Sequence, residues 1–286
     1  MISFLQKIGR KNSADAAPLS RGRLELRDIS RRYPGSDKPA MTGINLTIEP
    51  GEFVVVVGPS GCGKSTLLSL VAGLARPDSG QILLDGKPVT KPGPDRAMVF
   101  QEHGLFPWLT VADNVAFGLK QAGVGKKERR EAAQKALELV HLGKEAGMFI
   151  HQLSGGMRQR VSIARCLVMD PAVLLMDEPF AALDAQNRTL LHEQMQELYV
   201  ETRKTVLFVT HSVGEAVRLA DRIIVMHANP GRVRRDIRVN LPHPRNFDTA
   251  EVAAVMAQVR HEIDEEVNAH HGRTANAKTE GATYEI

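Results

Sequence analysis

The run Phe53-Val54-Val55-Val56-Val57 passes directly into Gly58-Pro59-Ser60-Gly61-Cys62-Gly63-Lys64-Ser65-Thr66, and no other stretch constrains the chain as much. Successive apolar, mostly β-branched residues bounded by glycine read as a strand buried on both faces, a habit of parallel sheets. The Gly-x-x-x-x-Gly-Lys-Ser spacing after it matches the phosphate-binding loop in full, and its setting between a strand and an apolar helix is the required one. That helix is predicted over 63–75 and is stopped by Arg76-Pro77. The glycines let backbone N–H groups turn inward around phosphate oxygens, and the helix N-terminus adds partial positive charge. Residues Gly58 through Thr66 are therefore the expected phosphate-contacting set. Lys64 is placed to reach the β- and γ-phosphates and the Ser65 hydroxyl to ligate Mg2+. ATP and Mg2+ are the expected ligands.

The rest of the pattern is α/β. Leu24 and Leu26, then Ile44, Leu46 and Ile48, alternate as strands do, and short strands are predicted at 81–85 and 96–100. Val111, Val115 and Leu119 recur at helical spacing, as do Ala132, Ala136, Leu139 and Val140, with the charged run 126–131 between them as a solvated helix start. Strands resume at 172–176, 205–210 and 222–226. Strands alternating with helices predict a mostly parallel sheet. Beyond the turn at Asn229-Pro230-Gly231 comes a basic stretch (Arg232, Arg234, Arg235, Arg238), placed either to cover a sheet edge or to support a dimer. One amphipathic helix follows, with Val252, Val255, Met256, Val259, Ile263 and Val267 on one stripe. The expected division is an arm at 1–21, a main domain at 22–228 with a helical insert at about 102–152, an extension at 229–268 and a disordered tail at 269–286.

Composition narrows the setting. A 286-residue chain that is 43% apolar can bury a sizeable core. With 37 basic against 33 acidic residues the net charge is +4, too small to advertise a nucleic-acid surface. Two cysteines make no disulfide framework and favour a reducing compartment. No apolar run approaches the roughly 20 residues that span a bilayer, and the first residues lack the pattern of a signal peptide. Any role at a membrane is expected to come through a partner.

Two further segments carry chemistry. Leu174-Leu175-Met176-Asp177-Glu178 is an apolar strand ending in two acids, at the strand end where α/β sheets bind ligands. Asp177 is placed to hold Mg2+, directly or through water, and Glu178 to orient and deprotonate an attacking water, a role worth about 10²–10⁴ in rate. Leu153-Ser154-Gly155-Gly156-Met157-Arg158-Gln159-Arg160 sets an N-cap serine and two glycines before a helix carrying Val161, Ala164, Arg165 and Leu167. Each alone has a bland reading, as a solvated strand end or a capped helix. Together with the phosphate loop, in this order, they do not. LSGGMRQR resembles the signature motif of ABC-type ATPases almost letter for letter, and the resemblance spans about residues 22–227.

That resemblance implies a P-loop ATPase core with a mostly parallel sheet, an N-terminal antiparallel β part and an α-helical subdomain. It implies two copies paired head to tail, so that Ser154, Gly155, Gly156 and Gln159 form the signature set acting on ATP held by the other subunit's Lys64. Gln101 looks like the glutamine that touches Mg2+ and water, and His211 like the switch histidine that contacts the γ-phosphate. Asp184 looks like the dimer-contact aspartate and Tyr33 like the aromatic that stacks on adenine. Glu178, His211, Gln101 and Lys64 form the implied catalytic set, and Ser65, Gln101 and Asp177 the implied metal ligands. One departure is Ala181, where many relatives carry serine or glycine.

The segment from Phe100 to Leu119, FQEHGLFPWLTVADNVAFGL, holds the only tryptophan and resembles importers of nitrate, sulfonates, taurine and related small anions. In the family this segment faces the permease, which makes Phe106 and Trp108 the expected docking residues. The implied partners are integral membrane permease subunits, a second ATPase subunit and, indirectly, a periplasmic or lipid-anchored solute-binding protein, with no nucleic acid. The implied location is peripheral, on the cytoplasmic face of the inner membrane. The competing readings are a soluble ABC-type ATPase acting on nucleic acid or ribosomes, and a small-molecule P-loop kinase. The first usually carries two heads or a long coiled-coil insertion, neither evident here, and the second has no need of LSGGMRQR.

Overall fold

The computed structural model describes residues 21–245, 247 and 249–279, with side chains as far as Glu265. Residues 1–20 of the arm expected at 1–21 and residues 280–286 of the tail expected at 269–286 lie outside the described residues. Along the chain come β1 (Leu24–Arg31), β2 (Met41–Ile48), β3 (Phe53–Val57), α1 (Lys64–Ala72), β4 (Ser79–Leu84), β5 (Lys87–Pro88) and β6 (Arg96–Val99). Then follow α2 (Val111–Gln121), α3 (Lys126–Leu139), α4 (Gly155–Leu167), β7 (Val173–Asp177), α5 (Ala185–Thr202), β8 (Thr205–Val209), α6 (Val213–Leu219), β9 (Arg222–His227), β10 (Arg232–Arg238) and α7 (Ala250–Thr279).

The strands form a four-stranded antiparallel sheet, β2-β1-β4-β5, and a six-stranded sheet, β10-β9-β3-β8-β7-β6. In the larger sheet β9, β3, β8, β7 and β6 are parallel, and only β10 runs antiparallel. Its central strands are apolar at every position because both faces are covered. Phe53, Val55 and Val57 of β3 pack with Leu174, Met176, Phe208, Ile223 and Val225 against the helices. Val54 and Val56 point the other way, with Leu175, Leu207, Val209 and Ile224, into a second core under α1 and the antiparallel sheet.

The helical insert follows its sequence pattern. Thr110 caps α2 by accepting the Asp113 N–H, and Val111, Val115 and Leu119 are buried against Ala133, Ala136 and Leu137 of α3. α1 ends sooner than the predicted 75, because Gly73 takes a left-handed conformation (φ 76) and donates to Leu70 O. The predicted 96–100 strand stops at Val99, and Phe100 is exposed.

Downstream of 228 the fold departs further from its sequence pattern. The basic stretch is β10, paired with β9 along the sheet edge, with Ile237 buried and the arginines facing outward or pairing with α7. Arg234 and Arg235 both reach Glu262. α7 buries Val252 and Val259, as its stripe predicts. It continues to Thr279 although Asn268, Gly272 and Asn276 are poor helix formers, so the tail expected to be disordered from 269 is helical as far as 279.

A polar node fixes the extension to the core. The Asp221 carboxylate accepts from the Phe53 N–H (2.9 Å) and the Tyr199 hydroxyl, and lies 3.1 Å from His243 Nε2. Burial raises the Asp221 pKa, but the hydrogen bonds from His243, Tyr199 and Phe53 outweigh it and hold the carboxyl below its usual range. Arg245, itself buried, donates to Val217 O (2.7 Å) and Ala220 O (2.6 Å) at the end of α6. Asp221→Asn is expected to cost about 1–3 kcal/mol at pH 7, read by urea denaturation. Because the folded pKa is depressed, this stabilisation is complete above the ordinary carboxylate range and is lost as pH falls through the folded value. The gap between variant and parent therefore narrows on acidification; a gap that widened would contradict the assignment.

Candidate nucleotide site

The parallel strands deliver the sequence-singled residues to one edge of the sheet. Gly58 follows β3, Gln101 follows β6, Asp177 closes β7 and His211 follows β8, with Asp177 in register with Val209. This is the carboxyl edge, where open α/β sheets bind ligands. Gly58 has φ 158, and a Cβ there would meet Met226 O at 2.8 Å, so the loop leaves β3 only as glycine. Gly63 (φ 96) turns the chain into α1.

Lys64 is buried, and its ammonium donates to Gly58 O (2.9 Å) and Pro59 O (3.1 Å) inside the loop. Partnered by carbonyls rather than a carboxylate, it keeps its charge for an anion. Cys62 Sγ lies 3.8 Å from that ammonium and is fully buried. Burial pushes the Cys62 thiol up against the pull of Lys64, so Cys62 is a packed, unreactive side chain.

Ser65 Oγ donates to Asp177 Oδ1 at 3.2 Å, joining loop and strand end across the sequence. Burial, with the adjacent Glu178 charge, raises the Asp177 pKa against the Ser65 hydrogen bond and Lys64. A half-buried carboxylate beside a hydroxyl, short of compensating charge, is a hard-oxygen donor set that fits Mg2+. Among the described residues no group of three or more His, Cys, Asp or Glu forms a metal cluster. An ion here would draw its remaining ligands from phosphate and water, as Mg2+ does at phosphate sites.

Glu178 stands next to Asp177 in the left-handed region (φ 43), held there by its N–H donating to Val209 O at 2.9 Å. That conformation costs a non-glycine residue on the order of 1 kcal/mol and is typical of functional sites. It brings Glu178 Oε2 to 2.8 Å from His211 Nδ1. Tyr33 is 41% exposed, and its hydroxyl lies 3.2 Å from Thr66 Oγ1. The ring thus reaches the start of α1 across sequence whose path was not legible. The Arg31 guanidinium sits 5.2 Å from the ring centroid, a contact the sequence gave no sign of. Gln101 is exposed at the start of the loop after β6.

The signature residues gather elsewhere, around the start of α5. Ser154 caps α4, accepting the Met157 N–H at 3.3 Å. A Cβ on Gly155 would touch Leu183 (3.6 Å) and one on Gly156 would touch Asn187 (3.5 Å). Asp184 caps α5, accepting from Asn187 N (3.0 Å) and Asn187 Nδ2 (2.6 Å), bonds that hold its carboxyl low. Gln159, grouped with the signature on sequence, does not share its surface. It is 0% exposed and lies 2.5 Å from His103 Nδ1, so it braces the helix and does not face outward. Of the side chains that sequence reasoning missed, Arg31 lies two residues from Tyr33, whereas His103 and Arg165 act through partners distant in sequence.

Known proteins bear on the same residues. A family model described as "ABC transporter" matches residues 41–181. The nitrate import ATP-binding protein NrtD of Synechocystis sp. is 49% identical over 221 residues, 77% of this chain and 83% of that protein. The chain belongs to the ABC transporter family. It is an ATP-binding, ATP-hydrolysing subunit of that family, with the α/β cassette fold. The taurine import ATP-binding protein TauB of Pseudomonas putida is 49% identical over 210 residues, 73% of this chain and 80% of that protein. A solved dimeric, post-hydrolysis state of the ATP-binding cassette MJ0796 bound to ADP and Pi superposes with a TM-score of 0.66 at 32% identity, covering 77% of this chain and 100% of that one. Among the described residues no helix is long and apolar enough to cross a membrane.

Proposed function

We propose that this subunit powers import of a small anion, of the nitrate, sulfonate or taurine class, through integral permease subunits to which it binds at the cytoplasmic face of the inner membrane. The relatives that handle nitrate and taurine support the cargo class. The observation that carries the chemistry is the meeting of two pairs, Ser65–Asp177 and Glu178–His211, on one sheet edge beside the Lys64 loop. Lys64 and the loop amides hold the β- and γ-phosphates, while Tyr33 stacks on the adenine. Ser65, Asp177 and Gln101 hold Mg2+, which neutralises phosphate charge when bound. Glu178 orients the attacking water and takes its proton, and His211 fixes the Glu178 carboxylate and reaches the γ-phosphate. Ser154, Gly155 and Gly156 of one copy contact ATP held by a second, identical copy, with Asp184 at that interface. A solute-binding protein outside the membrane delivers cargo to the permease.

The permease contact falls on the 104–110 segment. Trp108 is 71% exposed, and its ring packs at a tilt on Phe106 at 5.6 Å, which in turn packs on Phe117 at 4.5 Å. Buried Asn114 fastens this backbone to α2, accepting the Phe106 N–H (2.8 Å) and donating to Phe106 O (3.0 Å) and Thr110 O (3.0 Å). An exposed aromatic on so rigid a base suits docking, since little order remains to be imposed on binding.

Lys64→Ala is expected to abolish ATP binding or turnover in the purified subunit. Glu178→Gln is expected to bind ATP normally and hydrolyse it about 10²–10⁴-fold more slowly. Normal turnover in either variant contradicts the role given to that residue. Trp108→Ala is expected to lower the fraction recovered with membranes, and full membrane association would refute the docking surface.

A further inference from the structure

We propose that His103 and Arg165 are positioning residues that clamp the loop beginning at Gln101 onto the signature helix α4, so that loop and signature move as one body. The inference rests on the reading above, in which Gln101 serves the subunit's own ATP and Ser154–Gly156 serve the ATP of the second copy.

The clamp has two parts. Gln159, one turn into α4, is fully buried; its Oε1 is 2.5 Å from His103 Nδ1 and its Nε2 has no hydrogen-bond partner. Among the described residues His103 is thus the one side chain holding this amide, and a buried amide stripped of its partner is destabilising. Burial depresses the His103 pKa, against the Gln159 hydrogen bond, and nearby Arg158 adds to the effect. Facing the Gln159 carbonyl oxygen, Nδ1 is the nitrogen that donates in this contact. Further along the same helix, Arg165 donates from Nη1 to Gly104 O (2.6 Å) and from Nη2 to His103 O (2.9 Å). Its guanidinium also stands over the Phe106 ring at 6.0 Å. A planar fork engages the two successive carbonyls through two separate nitrogens held in one fixed geometry. The left-handed turn at Gly104 (φ 55) lets both carbonyls face it.

A regular helix is stiff over about 15 Å, at 1.5 Å per residue, the span from Gly155 to Arg165. Whatever shifts residues 103–104 therefore shifts the α4 N-terminus. Downstream, Asn114 fixes the loop to α2. Gln101 and Glu102 are exposed ahead of this clamped body, which makes them the joint between it and β6. The clamp thereby links the subunit's own phosphate-sensing loop to the neighbour's active site, a coupling that a signature helix attached only through its own core would lack.

The test uses the full chain carrying Glu178→Gln, with ATP-driven dimerisation followed by analytical ultracentrifugation. His103→Ala in that background is expected to raise the dimer dissociation constant about tenfold, the effect of one lost buried hydrogen bond. ATP affinity measured at protein concentrations too low for dimers is expected to stay within about twofold, since no loop residue that holds phosphate is touched. His103→Asn, whose amide nitrogen stands where Nδ1 does, is expected to restore dimerisation. Unchanged dimerisation in His103→Ala overturns the proposal, as does a loss that His103→Asn does not recover. A Glu178→Gln parent that forms no ATP-dependent dimer contradicts the underlying head-to-tail reading instead, and the clamp's consequence falls with it.

Discussion

The larger sheet is covered on both faces, and the rest of the molecule follows from that constraint. Phe53, Val55 and Val57 face the helices while Val54 and Val56 face the antiparallel sheet, so no side chain of β3 is free for chemistry. The same alternation governs β7, β8 and β9. With both faces sealed, functional groups can stand only at strand ends, and parallel pairing sends every such end the same way. Asp177, Glu178 and His211 meet the phosphate loop because β8 lies beside β3 and β7 beside β8, not because they lie near it in sequence. The left-handed backbone at Glu178 turns its carboxylate toward His211.

The helical insert joins the core on the helix-covered face of this frame. Its helices α2, α3 and α4 bury small and branched residues against one another, while its attachment to the loop after β6 is polar: Arg165 to two carbonyls, His103 to Gln159, Asn114 to the Phe106 peptide. Hydrogen bonds of this kind fix direction better than apolar packing, which is non-directional. The C-terminal segment is attached by the same means, through Asp221 with His243 and through Arg245 with the end of α6, the helix that follows His211.

Much of the fold was legible because it is written locally. A buried strand, a Gly-Lys-Ser turn and an apolar helix are contiguous, and so are the serine cap, the two glycines and α4. The α/β class and the family follow from those segments. What escaped was long-range. Arg232–Arg238 reads as a basic surface run, yet its alternation with Val233 and Ile237 becomes a strand only where β9 offers an edge. Gln159 was grouped with its sequence neighbours, but burial decides its role, and the helix turns it toward His103, far away in sequence. Arg165 over Phe106 is a pairing that no spacing encodes. Polar side chains that act through distant partners are the part of a site that a single sequence conceals.

The central claim is that this ATPase works on a membrane permease. The most direct measurement is to tag the chain at its C-terminus, solubilise source-cell membranes gently and identify what co-purifies. The account predicts a polytopic membrane protein in roughly equimolar amount, accompanied by a solute-binding protein. Recovery from the soluble fraction alone, with nucleic acid or ribosomes attached, would leave the ATPase site standing and contradict the function.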